Sequence, residues 1–145
     1  MVSKQRSHFE ATSTIFLVED NPTDSYLSRM ALERTAAIPL QIVGTETGEH
    51  ALELLRHHCE RYKRPNVVLL DLSLPDMSGH EVLAAVRSDP LLKDVPVVIL
   101  TGSDDAEDKR RALELGANDY WIKPMGMLGY LDIMRRLKAY LDPAA

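Results

Sequence analysis

Short runs rich in Ile, Leu and Val recur at residues 15–18, 40–43, 67–70 and 97–100, with helix-length segments between them; a fifth run, 120–122, follows Gly116. A strand with one wet face alternates apolar and polar residues. An uninterrupted Val/Ile/Leu run needs cover on both faces, the condition of a parallel sheet between layers of helices. The chain is therefore read as (βα)₅, an α/β doubly wound domain.

The intervening segments carry helix signals of their own. Asn21 is placed as an N-cap with Pro22 at the first helical position, ahead of a stripe formed by Tyr26, Leu27, Met30 and Ala31. Leu52, Leu55 and Cys59 share a face in the second helix, and Ser78 with Glu81 has capping-box spacing before Val82, Ala85 and Val86. The fourth helix, roughly 104–115 and closed by Gly116, opens with a charged run that has almost nothing to bury, so it is expected to be the mobile element.

With 145 residues there is room for one core, and residues 1–13 read as a flexible polar tail ahead of it. The formal charge of −5 and the absence of a long basic cluster argue against binding nucleic acid or an anionic membrane surface. No apolar stretch approaches a bilayer span, and the single Cys59 suits a reducing compartment, so a cytoplasmic location is expected.

Ligands of a doubly wound sheet bind beyond the carboxyl ends of its strands. There the chain offers Glu19 and Asp20 after the first strand, Asp71 after the third, Thr101 after the fourth and Lys123 after the fifth. Each has an ordinary alternative as a cap, a strand residue or a solvated lysine. Together, however, three converging carboxylates repel unless a cation neutralises them. Mg²⁺, which prefers oxygen ligands, answers that need, with Asp20 and Asp71 as direct ligands. Lys123 and Thr101 then supply the positive charge and the hydrogen-bond donor that a transferred phosphoryl group requires, and Asp71 is the candidate nucleophile.

Glu19-Asp20, the segment 71–79 (Asp-Leu-Ser-Leu-Pro-Asp-Met-Ser-Gly), Thr101-Gly102 and the segment 116–124 (Gly-Ala-Asn-Asp-Tyr-Trp-Ile-Lys-Pro) resemble the receiver domain of two-component response regulators. The resemblance implies a flavodoxin-like sheet in the order 2-1-3-4-5, with a receiver domain at 14–142 and no output domain. It further implies phosphorylation of Asp71 by a sensor histidine kinase. Mg²⁺ would be held by Asp20, Asp71 and the Ser73 backbone carbonyl, with Glu19 acting through water. Thr101 and Lys123 would contact the phosphoryl oxygens, Tyr120 would change rotamer on activation, and a cis peptide would precede Pro124. Ser73 and Gly102 depart from the commonest family pattern. The long connection at 87–96 is similar to that of stand-alone regulators that partner bacterial phytochromes.

Two rival functions share parts of this pattern. A phosphohydrolase with an aspartyl nucleophile generally needs a second Asp two residues after the first, where this chain has Ser73. A docking module that is never phosphorylated would be favoured by loss of site residues, and none is lost. Among lesser signals, His57, His58 and Cys59 are adjacent on a helix and cannot converge on one ion, and His80 is expected to be exposed. Strand alternation predicts that one of Tyr120 and Trp121 is buried and the other outward. In the last helix Tyr130, Leu131, Ile133, Met134, Leu137, Tyr140 and Leu141 span a wide arc. One edge should pack on the sheet, leaving Trp121, Tyr130, Met134, Leu137 and Leu141 as candidates for a homodimer interface across helix 4, strand 5 and helix 5.

Overall fold

The computed structural model describes residues 13–141. Five parallel strands, β1 (Ser13–Val18), β2 (Leu40–Thr45), β3 (Val67–Leu70), β4 (Val97–Thr101) and β5 (Asp119–Ile122), form one sheet in the order β2-β1-β3-β4-β5. Between them run α1 (Pro22–Thr35), α2 (Gly48–Arg61), α3 (Gly79–Ser88) and α4 (Ala106–Glu114), followed by α5 (Met127–Arg135) and the short α6 (Lys138–Leu141).

The double cover implied by the apolar runs is visible residue by residue. In β1, Phe16 and Val18 join the core under α2, α3 and α4, while Ile15 and Leu17 join the opposite core under α1, α5 and α6. β3 divides the same way, with Val68 and Leu70 on the first face and Val67 and Leu69 on the second. Successive side chains thus enter opposite cores, and each position must be apolar.

The helix ends follow the expected caps. Asn21 Oδ1 accepts from Asp24 N at 3.0 Å, Ser78 Oγ accepts from Glu81 N at 3.2 Å, and Gly116 adopts a φ of +101° after α4. α1 turns further than its stripe indicated. Ala31 and Leu32 are buried, while Tyr26 stays exposed.

The tail boundary moves by one residue. Ser13 opens β1, with its N–H donating to the Pro39 carbonyl at 3.1 Å and its hydroxyl to the Leu141 carbonyl at 2.9 Å. Residues 1–12 of the expected tail and Asp142 of the expected domain lie outside the described residues.

Candidate functional site

Parallel register carries the site residues to one edge of the sheet. Val18 pairs with Leu70, so Glu19 and Asp71, the residues that follow, emerge side by side. Asp71 N–H donates to the Val18 carbonyl at 3.1 Å. On the far side Thr101 pairs with Ile122, and Lys123 N–H donates to the Thr101 carbonyl at 2.7 Å. The four-carbon stem of Lys123 then spans β4 to reach the acidic residues on β3 and β1.

Glu19, Asp20 and Asp71 each present a carboxylate oxygen within 4.8 Å of the others, with Glu19 and Asp71 buried and Asp20 exposed. Lys123 Nζ meets Glu19 Oε1 at 2.7 Å, Asp71 Oδ2 at 2.8 Å and Asp24 Oδ2 at 2.7 Å. One ammonium cannot neutralise so many carboxylates. Burial, reinforced by the Asp71 charge, holds the Glu19 carboxyl above its ordinary range even though Lys123 and the Asn21 N–H pull the other way. Burial would lower the Lys123 ammonium, but hydrogen bonds to Asp24, Asp71 and Glu19 outweigh it and hold that group above its ordinary value. The two shifts are compatible: Lys123 gains from several carboxylates, and each carboxylate receives only a share of one ammonium. A hard cation with oxygen ligands fits the remaining imbalance and the donor set.

The loop after β3 is tightly braced. A Cβ on Gly79 would lie 2.4 Å from the Asp71 carbonyl oxygen and 2.8 Å from Leu72 Cα, so only glycine lets α3 start this close to the strand end. Ser73 N–H donates to Asp71 Oδ1 at 3.2 Å, and Ser73 bridges to Ser78. Asp76 reaches across to α2, accepting from the N–H groups of Gly48 and Glu49 at 2.9 Å each.

After β4 the contacts are of another kind. Thr101 is buried, with its Oγ1 accepting from Ser103 N–H at 3.4 Å. Ser103 in turn donates its hydroxyl to Asp108 Oδ2 at 2.7 Å and accepts at its carbonyl from Tyr120 Oη at 2.8 Å. Burial raises the Tyr120 phenol, partly offset by that hydrogen bond.

Several expectations need correction. Trp121, Tyr130, Met134, Leu137 and Leu141 are buried core residues, not an interface strip. α5 ends at Arg135 and α6 begins at Lys138, and this segment turns Tyr130, Met134, Leu137 and Leu141 into the core on that face of the sheet, with Leu131 and Tyr140 partly buried against it. Tyr120 and Trp121 are both buried, on opposite faces, because helices cover β5 on each side. His80 is 5% exposed, with its Nε2 3.0 Å from the Asp108 carbonyl, since α4 folds over the first turn of α3. No cis peptide occurs among the described residues, so Lys123–Pro124 is trans.

Asp24 was missed in the sequence. It is the third residue of α1, and a carboxylate in a first turn is ordinarily explained by the helix dipole alone. Its signal was its spacing: one turn into the helix that leaves β1, a side chain faces back over the strand end. Asp24 Oδ1 also lies 3.4 Å from Tyr130 Oη, whose phenol is pushed up to about 12 by burial and then by the Asp24 charge.

Comparison with known proteins agrees with this geometry. Residues 15–134 match the response regulator receiver domain family. The chain is 38% identical to the probable methanogenesis regulatory protein FilR2 of Methanothrix harundinacea, over 87% of this chain and 81% of that protein. It is 34% identical to response regulator Rcp1 of Synechocystis sp., over 87% of this chain and 86% of that protein. Among solved structures, the phosphorylated cyanobacterial phytochrome response regulator RcpA superposes with a TM-score of 0.83 at 36% identity, covering 93% of this chain and 98% of that one. The Mn²⁺-bound form of Rcp1 gives 0.79 at 32% identity, covering 92% and 96%. With a matched domain of this extent and the same sheet order carrying its acidic edge, the chain belongs to the response regulator receiver family.

Proposed function

We propose that the protein is a phosphoacceptor response regulator that takes a phosphoryl group from a sensor histidine kinase onto Asp71. The observation that carries this reading is one buried carboxylate, Asp71, flanked by an acidic cluster on one side and the Lys123 ammonium on the other. In the transfer, an Asp71 oxygen bonds to phosphorus as the phosphorus–nitrogen bond of the donor phosphohistidine breaks. The bonding pair returns to the imidazole nitrogen, leaving an acyl phosphate. Asp20, Asp71 and the Ser73 carbonyl would hold Mg²⁺, with Glu19 beyond them; the bound ion supplies charge neutralisation to the phosphoryl oxygens. Lys123 and the Thr101 hydroxyl hold those oxygens in place. Ser73, standing where an aspartyl phosphohydrolase has its second Asp, offers no general acid, so the chain modifies itself and turns over no small-molecule substrate.

The likeness to RcpA, a cyanobacterial phytochrome response regulator, supports a phytochrome-type kinase as donor. Tyr120, hydrogen-bonded to the loop that leaves Thr101, is the residue whose rotamer would follow phosphorylation. A homodimer through α4, β5 and α5 would use the outward residues of that face, Leu113 at 45% exposed and Ile122 at 42%.

Thermal melts with Mg²⁺ and beryllofluoride test the site. The parent protein should gain stability with each addition, since a ligand of the native state adds RT ln(1 + [L]/Kd). Asp20→Ala should lose the Mg²⁺ gain. Coincident parent melts with and without both ligands contradict the reading. Sedimentation equilibrium tests the dimer: association abolished by Ile122→Asp is expected, and a strict monomer with and without beryllofluoride refutes it.

A further inference from the structure

A lysine ammonium has three N–H donors, and Lys123 meets three carboxylates, at 2.7 Å from Glu19, 2.7 Å from Asp24 and 2.8 Å from Asp71. Two of these contacts are hydrogen bonds, to Asp24 and Asp71, and the third is an ion pair, so carboxylates crowd the ammonium on every side they can reach. Any phosphoryl oxygen that reaches Nζ must displace one of these partners or share a donor with it.

The three competitors are not equivalent. Glu19 and Asp71 belong to the cluster of carboxylates that can hold a cation; Asp24 does not. Asp24 is fixed by other means: its N–H is capped by Asn21 Oδ1 at 3.0 Å, it lies in the first turn of α1 where the helix dipole favours an anion, and its second oxygen lies 3.4 Å from the buried Tyr130 hydroxyl. Once Asp71 carries a phosphoryl group and Glu19 turns toward a cation, Asp24 is the carboxylate that still holds Lys123.

We propose that Asp24 is a positioning residue that competes with the phosphoryl group for the Lys123 ammonium and so weakens the hold of the site on that group. The inference rests on the phosphoacceptor reading of the same site. Two effects act in one direction. Asp24 takes a donor from Lys123, and its own negative charge repels a phosphoryl dianion. Removing the charge should therefore tighten the site, the opposite of what damage to the fold would do.

The test is the affinity of the intact protein for beryllofluoride at saturating Mg²⁺, read from Trp121 fluorescence or from the melting shift. Asp24→Asn should bind about tenfold more tightly than the parent, the scale of one charge-assisted hydrogen bond. Asp24→Ala should tighten in the same sense, and Asp24→Glu, which restores the carboxylate, should return the weaker parental affinity. Equal or weaker binding in both Asp24→Asn and Asp24→Ala, with Mg²⁺ affinity unchanged, overturns the proposal and leaves the phosphoacceptor reading standing. A parent protein that binds no beryllofluoride overturns both.

Discussion

The junctions after β3 and β4 each deliver a site residue to the same edge, and they are built to opposite specifications. After β3, Gly79 abuts the backbone of Asp71, Ser73 and Ser78 bridge, Asp76 caps α2, and α3 buries Gly79, His80, Val82, Leu83 and Val86. After β4, α4 buries Ala112 alone and carries its Arg110–Glu107 and Arg110–Glu114 ion pairs in solvent, where such pairs add little. Its attachment to the site runs through Ser103, Asp108 and His80. The carboxylate proposed to react stands on the heavily packed junction, while the Thr101 hydroxyl proposed to hold the phosphoryl group leads into the lightly packed one. Fixed chemistry beside a weakly held reporter is the arrangement a switch needs.

The sharpest way to break the contrast is to cut the rigid side. Leu83 is fully buried in the core beneath α3. Leu83→Ala should cost about 3 kcal/mol and lower the urea midpoint of the whole domain. A loss below about 1 kcal/mol would mean that α3 is held no more firmly than α4.

Gly79→Ala should come next. Its Cβ meets backbone atoms, not a flexible side chain, so the strand end must shift; a loss of about 1–3 kcal/mol is expected together with weakened beryllofluoride binding. Unchanged binding, measured by the same melting shift, would show that the placement of Asp71 does not depend on this close approach.

On the lightly held side, Ser103→Ala removes the hydroxyl that ties Asp108 to the loop after β4. Native-state hydrogen exchange should report amides of α4 opening about tenfold more often, with the global midpoint unmoved. Equal protection in the variant would place the anchor of α4 elsewhere.

Acid should distinguish the two sides least. Backbone N–H groups of Glu49, first, and Gly48 hold the Asp76 carboxyl below its ordinary range. A depressed folded-state value stabilises above the unfolded value near pH 4 and is lost as pH falls through the folded one. Asp76→Asn should flatten stability against pH in that window, and a parallel profile would remove Asp76 from the account.

The sheet and the acidic edge were legible because both rest on local signals. Doubly buried strands leave uninterrupted apolar runs, and the residues that follow those runs meet by topology. What escaped depended on how helices turn over the sheet. Asp24 looks like any first-turn acid until the strand end beneath α1 is in view. His80 looks like a solvent-facing first-turn residue until α4 covers it. The wide stripe of the last helix reads as a partner surface until the core is in view, where Tyr130, Ile133, Met134, Leu137 and Leu141 are all buried across α5 and α6.

The proposed chemistry stands or falls on Asp71 as the phosphoacceptor. Intact-mass spectrometry after incubation with acetyl phosphate and Mg²⁺ tests it most directly, with Asp71→Asn alongside as a nearly isosteric and far weaker nucleophile. The parent chain should gain a single phosphoryl group that hydroxylamine removes, and the folded Asn variant should gain none. A hydroxylamine-labile phosphoryl group on the Asn variant, or none on the parent, would contradict the account.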